Sequence, residues 1–264
     1  LKKIIFDNID NNLHLTKYTQ ISIFTASLII YKTIESLKKV DKLKIKNMLG
    51  HSLGEYTALT CSEKISIKDC TAILIKRGQL MHDSVAPNVT GMAALIGLSA
   101  NEVRKIIDNN KLKIEIANDN SPMQVVISGE IRELENSKEI FIKNNIKKFV
   151  KLNVSAAFHS NFMLNAQREL SNLLEKTQLK ENTINIISNY TSNASYDNNV
   201  IKKSLMNQMA NEVKWTESIQ NLEKSGENKI IEIGPGNVLS GLIRRISNSF
   251  DIVSVIKVSD IEKL

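Results

Sequence analysis

Gly50-His51-Ser52-Leu53-Gly54 is a Gly-x-Ser-x-Gly run, with an apolar stretch at 45–49 before it and a helix-forming stretch at 53–61 after it. Where a strand meets a helix in this way, the serine occupies a sharp, strained turn that lifts its hydroxyl out of the sheet. Glycines on either side let neighbouring groups approach without clash. The helix N-terminus sets the Leu53 amide beside a developing oxyanion. Ser52 is therefore read as a nucleophile; the alternative is a plain turn in which Ser52 caps the helix.

A serine hydroxyl needs a base. Of the four histidines, His51 lies inside the elbow and points away from its sequence neighbour, while His14 and His82 sit among polar residues. His159 follows the small-residue run Ser155-Ala156-Ala157-Phe158, between a strand and a helix, where a sheet delivers catalytic side chains. A helix-capping histidine is the alternative. The chain lacks the Ser…Asp…His order of ordinary α/β-hydrolases and their His-Gly-Gly-Gly stretch, so something other than a carboxylate should orient His159. Arg77, on the helix after the elbow, could clamp a carboxylate bidentately, although an arginine at such a place is more often a solvated surface group.

The elements that must position these residues follow from periodicity and caps. A helix is expected over 19–39 with Thr19 as its cap, a buried strand at 45–49 and a helix at 53–61. Ser66 with Asp69 forms a capping-box pattern that opens a helix to about Asp83, carrying Arg77. The middle of the chain reads strand 91–97, helix from Ser99 to about 109, strands 113–117 and 124–128, helix 130–144 and strand 147–153. The two central strands should be joined by a loop rich in Asn, Asp, Ser and Pro. This order is the β-α-β-β-α-β, ferredoxin-like unit. Beyond it come a helix at 160–176, a strand at 183–188, helices at 201–210 and 216–224, and a buried strand at 229–233 that ends in Gly234-Pro235-Gly236 before a further helix.

Alternating strands and helices predict a mostly parallel sheet covered on both faces. The expected fold is α/β: an α/β-hydrolase-like, mostly parallel sheet core from residues 1–89 and 154–264, with a ferredoxin-like small subdomain inserted at 90–153.

The 264 residues are 42% hydrophobic and 24% charged, an ordinary globular balance. No apolar run approaches the roughly 18–20 residues that span a bilayer. Cys61 and Cys70 cannot form a disulfide framework and read as thiols of a reducing compartment, the bacterial cytoplasm or an organelle interior. No zinc-like spacing is present, so no metal site is expected. The net charge of +7 with only 5% aromatic residues favours an acidic protein or anionic small molecule over a nucleic acid or membrane.

Five ordered segments carry a family resemblance: Gly50-His51-Ser52-Leu53-Gly54-Glu55-Tyr56, Lys76-Arg77-Gly78-Gln79, the run from Asn120-Ser121-Pro122 to Ser128-Gly129, Ala157-Phe158-His159, and Glu232-Ile233-Gly234-Pro235-Gly236. Together they resemble the malonyl-CoA:acyl carrier protein transacylases of dissociated fatty acid synthesis, a fold shared with the acyltransferase domains of polyketide synthases. The resemblance implies ping-pong acyl transfer, with Ser52 as nucleophile, His159 as base, the Leu53 amide as oxyanion donor and Arg77 as partner of the malonyl carboxylate. It implies that the main-chain carbonyl of Gln208 orients the histidine, and that Phe158 belongs to the malonyl-selective form of its segment. Malonyl-CoA and holo-acyl carrier protein are then substrates, no cofactor is needed, an acidic carrier protein is the partner, and a monomer is expected. Arg244 and Arg245 are candidates for the carrier surface.

Two departures stand out. Nothing matches the family's N-terminal Gly-Gln-Gly-Ser-Gln stretch, which supplies a second oxyanion amide, so the chain reads as a fragment beginning beyond it. Met123 stands where the family usually has glycine. Two other classes compete: a serine hydrolase of esters or thioesters, and a non-catalytic module that binds acyl groups or carrier protein.

Overall fold

The computed structural model describes residues 2–8 and 11–264. The chain opens with α1 (Lys2–Phe6), α2 (Thr16–Ser36), β1 (Asn47–Met48), α3 (Leu53–Cys61) and α4 (Ile67–Asp83). The middle holds β2 (Thr90–Ile96), α5 (Ala100–Asn110), β3 (Ile114–Ser121), β4 (Gln124–Glu130), α6 (Ile131–Lys143) and β5 (Lys148–Lys151). The rest is α7 (Leu164–Lys176), β6 (Asn185–Ile187), β7 (Ala194–Ser195), α8 (Asn198–Met206), α9 (Trp215–Lys224), β8 (Lys229–Ile233), α10 (Val238–Ile246) and β9 (Asp251–Val255).

Local chemistry accounts for several boundaries. Ser66 accepts from the Asp69 amide at 3.0 Å and starts α4, and Ser99 with Glu102 closes a reciprocal capping box at the start of α5. Both Glu232 carboxylate oxygens accept amides at the start of α10, from Leu239 at 3.0 Å and Ser240 at 2.9 Å, which neutralises the positive end of that helix.

The strands make three sheets. β1 runs parallel to β6, with β7 antiparallel at its edge. β8 and β9 form a second parallel pair. The third is a four-stranded antiparallel sheet of order β3-β4-β2-β5. Its strand β2 is buried on both faces: Ala93 and Leu95 pack with Val103, Ile106, Leu134 and Phe141 under α5 and α6, whereas Met92 and Ala94 join the main core with Phe24, Tyr56, Leu74 and Phe158. Residues of opposite parity thus anchor the sheet to its own helices and to the rest of the molecule.

Several expectations are corrected. Asn118, Asp119, Asn120 and Ser121 are strand, not loop: β3 runs on to a two-residue turn at Pro122-Met123, with register shifts that break the pairing locally. The polar residues there meet other elements, Asn118 bridging to Val213, Asp119 accepting from the Thr216 hydroxyl at 2.6 Å and Asn120 meeting His51 at 2.8 Å, while the buried Ser121 hydroxyl has no partner. Thr19 does not cap α2; the helix starts at Thr16, and the Thr19 hydroxyl bonds back to the Leu13 and Leu15 carbonyls. The expected helix at 160–176 begins as a 3₁₀ turn over Asn161–Met163. Helix α1 and strand β9 were not anticipated.

Candidate active site

Ser52 joins β1 to α3 at φ 52° and ψ −105°, a region that side chains rarely enter. The steric demand of the turn falls on Gly50, where a Cβ would stand 2.1 Å from the Gly54 carbonyl carbon. Gly54 itself faces open space, so the expected symmetry between the two glycines is absent. The Ser52 side chain makes no capping bond to α3. The turn is held from outside the elbow: the Ser52 amide donates to Asn189 Oδ1 at 2.6 Å, and Asn189 Nδ2 donates to the Gly50 carbonyl at 2.8 Å. Leu53 is the first residue of α3, where a helix has no internal acceptor for its N–H.

The Ser52 hydroxyl lies 2.9 Å from His159 Nε2 and receives a hydrogen bond from Arg77 Nη2 at 3.0 Å. His159 Nδ1 faces two carbonyls, those of Gln208 and Asn211, each at 3.1 Å. Carbonyls only accept, so Nδ1 carries the proton and Nε2 is free to accept from the serine. Burial, with Arg77 and His51 nearby, lowers the His159 pKa to about 3, so the ring is neutral at pH 7. The Gln208 and Asn211 carbonyls stand where the carboxylate of an ordinary triad would accept from Nδ1.

Arg77 is no surface arginine: it is 1% exposed. Its Nη1 donates to Gln20 Oε1 at 2.5 Å and its Nη2 also donates to Gln208 Oε1 at 3.0 Å. The Tyr56 ring lies 5.3 Å from the guanidinium carbon. Arg77 Nε has no partner. A buried cation with a spare donor beside a nucleophile is suited to an anionic acyl group.

Glu55 is also buried, at 1% exposure, and burial raises its pKa to about 7 against the opposing pull of the Asn189 amide, Gln208 and Arg77. Phe158 packs in the main core beside His159. A cleft of about 360 Å³ leads to His159 between Ile116, Glu115 and Arg104 on one side and Asn161, Asn211 and Glu212 on the other. The Arg104–Glu212 ion pair, at 2.7 Å, lies along its wall. His51 turns away from Ser52 and meets Asn120 Oδ1 at 2.8 Å. Arg244 and Arg245 are exposed on α10, far in the bonding network from these groups, Arg245 reaching Gln124 at 2.8 Å.

Reasoning from the residues pointed to Ser52 and His159, the resemblance added Arg77 and Gln208, and the fold brings all four together. It missed Gln20, Glu55, Asn189 and Asn211. Gln20 carries a detectable signal, a polar side chain on the buried stripe of an amphipathic helix. Asn189 and Asn211 carry none, since each lies in a polar loop and bonds residues far away in sequence. Among the described residues no cluster of three or more His, Cys, Asp or Glu could hold a metal ion, and no helix is long and apolar enough to cross a membrane.

Comparison with known proteins adds an independent line. The chain is 38% identical over 245 residues to the polyketide biosynthesis protein PksE of Bacillus subtilis, covering 91% of this chain but only 31% of that protein. It is 37% identical over 251 residues to the polyketide biosynthesis malonyl CoA-acyl carrier protein transacylase PksC of Bacillus subtilis, covering 93% of this chain and 84% of the relative. The crystal structure of acyl-carrier-protein-S-malonyltransferase from Bartonella henselae superposes with a TM-score of 0.94 at 34% identity, covering 99% of this chain and 84% of that one. The model of the acyl transferase domain matches residues 1–261, essentially the whole of the described site and its supports. By that match, the protein belongs to the acyl transferase domain family.

Proposed function

We propose that the protein moves a malonyl group from malonyl-CoA to the phosphopantetheine thiol of an acyl carrier protein, through a malonyl-Ser52 ester, to supply fatty acid or polyketide assembly. The observation that carries this reading is the Ser52 hydroxyl oxygen, shared between a neutral histidine and a buried guanidinium with an unused donor. The names of the transacylase and malonyltransferase relatives support the acyl group and the acceptor.

In the first half-reaction Ser52 Oγ attacks the thioester carbonyl as His159 Nε2 takes its proton. The Leu53 amide faces the oxyanion. Collapse of the tetrahedral intermediate breaks the C–S bond, and His159 returns the proton to the coenzyme A thiolate. In the second half the carrier thiol gives its proton to His159 and attacks the ester carbonyl. The C–O bond then breaks, and Ser52 recovers its proton from His159. Arg77 holds the free carboxylate throughout, and Phe158 narrows the pocket against larger acyl groups. Malonyl-CoA and the holo-carrier are substrates, free coenzyme A is released, and no resident cofactor takes part. A monomer acting on a soluble carrier, with the small subdomain at 90–153 forming one wall of the cleft, completes the proposal.

Intact mass after mixing with malonyl-CoA tests it. A gain of about 86 Da, absent from Ser52→Ala and transferred onto added holo-carrier protein, is the expected result. Arg77→Ala should load acetyl-CoA in preference to malonyl-CoA, because only the malonyl group offers a carboxylate to the missing cation. An adduct released to water at the same rate with or without carrier would mark a hydrolase instead.

A further inference from the structure

Arg77 is a buried cation, yet among the described residues no carboxylate lies within 4.0 Å of it. The nearest link to a buried acid runs through one amide. Gln208 Oε1 accepts from Arg77 Nη2 at 3.0 Å, while Gln208 Nε2 donates to Glu55 Oε2 at 2.8 Å and to the Ser52 carbonyl at 2.9 Å. Glu55 Oε2 also accepts the Asn189 amide at 3.0 Å. Asn189 in turn holds the elbow through Gly50 and Ser52. The Gln208 side chain is therefore used at every polar position: both N–H groups face oxygens and its oxygen faces the guanidinium.

An amide placed between a cation and an acidic oxygen has one favourable orientation. Flipped, it would aim its NH₂ at the guanidinium and its oxygen at the Ser52 carbonyl and Glu55. A glutamate bonded directly to Arg77 would occupy the donors that an incoming carboxylate needs. Glu55 held one amide away leaves Arg77 Nε unused and still fixes where the guanidinium stands.

We infer that Glu55 is a positioning residue: by accepting from Gln208 Nε2 it locks the Gln208 amide, and through that amide it sets the pose in which Arg77 receives the acyl carboxylate. This rests on the malonyl-transfer reading and adds to it a residue that touches neither the reacting atoms nor the acyl group. What the lock requires is an acceptor oxygen at this position, supplied by Glu55 whether ionised or not.

The test is a double-mutant cycle of Glu55→Ala and Gln208→Ala, read as loading of Ser52 from malonyl-CoA and from acetyl-CoA, with Glu55→Gln as the conservative variant. Glu55→Ala should lower malonyl loading about tenfold or more, the effect of leaving a buried donor unpaired, and acetyl loading less than about threefold. Gln208→Ala added to Glu55→Ala should lower malonyl loading little further, because both changes break one relay. Glu55→Gln keeps an acceptor oxygen and should return malonyl loading to within about threefold of wild type. Equal losses with both donors, additive losses in the cycle, or failure of Glu55→Gln to rescue would each overturn the assignment. Wild-type protein that forms no adduct would overturn malonyl transfer instead. The relay would then be judged from the urea midpoints of the same four proteins, where additive shifts would refute it.

Discussion

Ser52 stands at φ 52° in a turn that its own side chain does not stabilise, surrounded by buried Arg77, His159, Gln208 and Glu55. Some forty residues on, β2 pairs with β4 without a break from Thr90 to Ile96, and the core between that sheet and helices α5 and α6 is built mainly of apolar side chains, the buried Ser137 turning its hydroxyl back to the Leu134 carbonyl at 2.7 Å. The two regions are held in different ways. The sheet and its helices gain from burying hydrocarbon, a force that needs no particular orientation. The site gathers groups that burial disfavours and keeps them by hydrogen bonds among six separate segments, carrying strain of order 1–3 kcal/mol at a residue such as Ser52. The site is held by directional bonds, and the sheet and its helices by packing.

The largest expected effect comes from exchanging the strained residue for one that fits its backbone. Ser52→Gly removes the nucleophile and should lower adduct formation by about a thousandfold or more. It should also raise stability by up to about 1 kcal/mol, because glycine enters this backbone region freely. A loss of stability in urea would show that Ser52 is not strained and would break the comparison. Next comes the apolar side. Phe141→Ala, at a fully buried position under the sheet, should destabilise by about 3–5 kcal/mol while leaving the loading rate per folded molecule nearly unchanged. Loading that fell in step with stability would show the two regions to be coupled.

The pH dependence of stability sharpens the contrast within the site. His159, lowered to about 3, binds fewer protons folded than unfolded below its ordinary value near 6.5. Its contribution is therefore full above about pH 6.5 and is lost as pH falls toward 3. Glu55, raised to about 7, does the reverse: the folded state holds the proton longer, so stability declines as pH rises from about 4.5 through 7. Glu55→Gln should thus gain on wild type across that upper window, measured as urea midpoints from pH 5 to 8. A constant difference would show that Glu55 does not titrate there. The smallest effect belongs to the surface: Lys76→Ala, which removes the exposed pair with Glu169 at 3.3 Å, should shift stability by less than about 1 kcal/mol.

Much of the fold was legible because its signals are local. The caps at Ser66 and Ser99, the Gly50–Gly54 elbow and the short apolar run of β2 each depend on residues within a few positions of one another. The end of β3 was not legible, because Asn118, Asp119 and Ser121 have the composition of a loop yet pair with β4, and Asn118 and Asp119 also meet Val213 and Thr216, about a hundred residues away. Strand β9 was missed for a related reason: its short run is defined by its partner β8.

The same division runs through the site. By itself the sequence marked Ser52 as the candidate nucleophile, because a strand, a glycine-flanked serine and a helix leave that side chain one place to go. It placed His159 in the connection between a strand and a helix, and Arg77 on α4. That Arg77 is buried beside Ser52, and that Gln20, Glu55, Asn189 and Asn211 fix its surroundings, was decided by tertiary structure alone. Hydrogen bonds across 25 to 156 residues of chain have no period and no spacing rule. They exist only once apolar packing has brought their partners out of water, where each unpaired group would be too costly to leave.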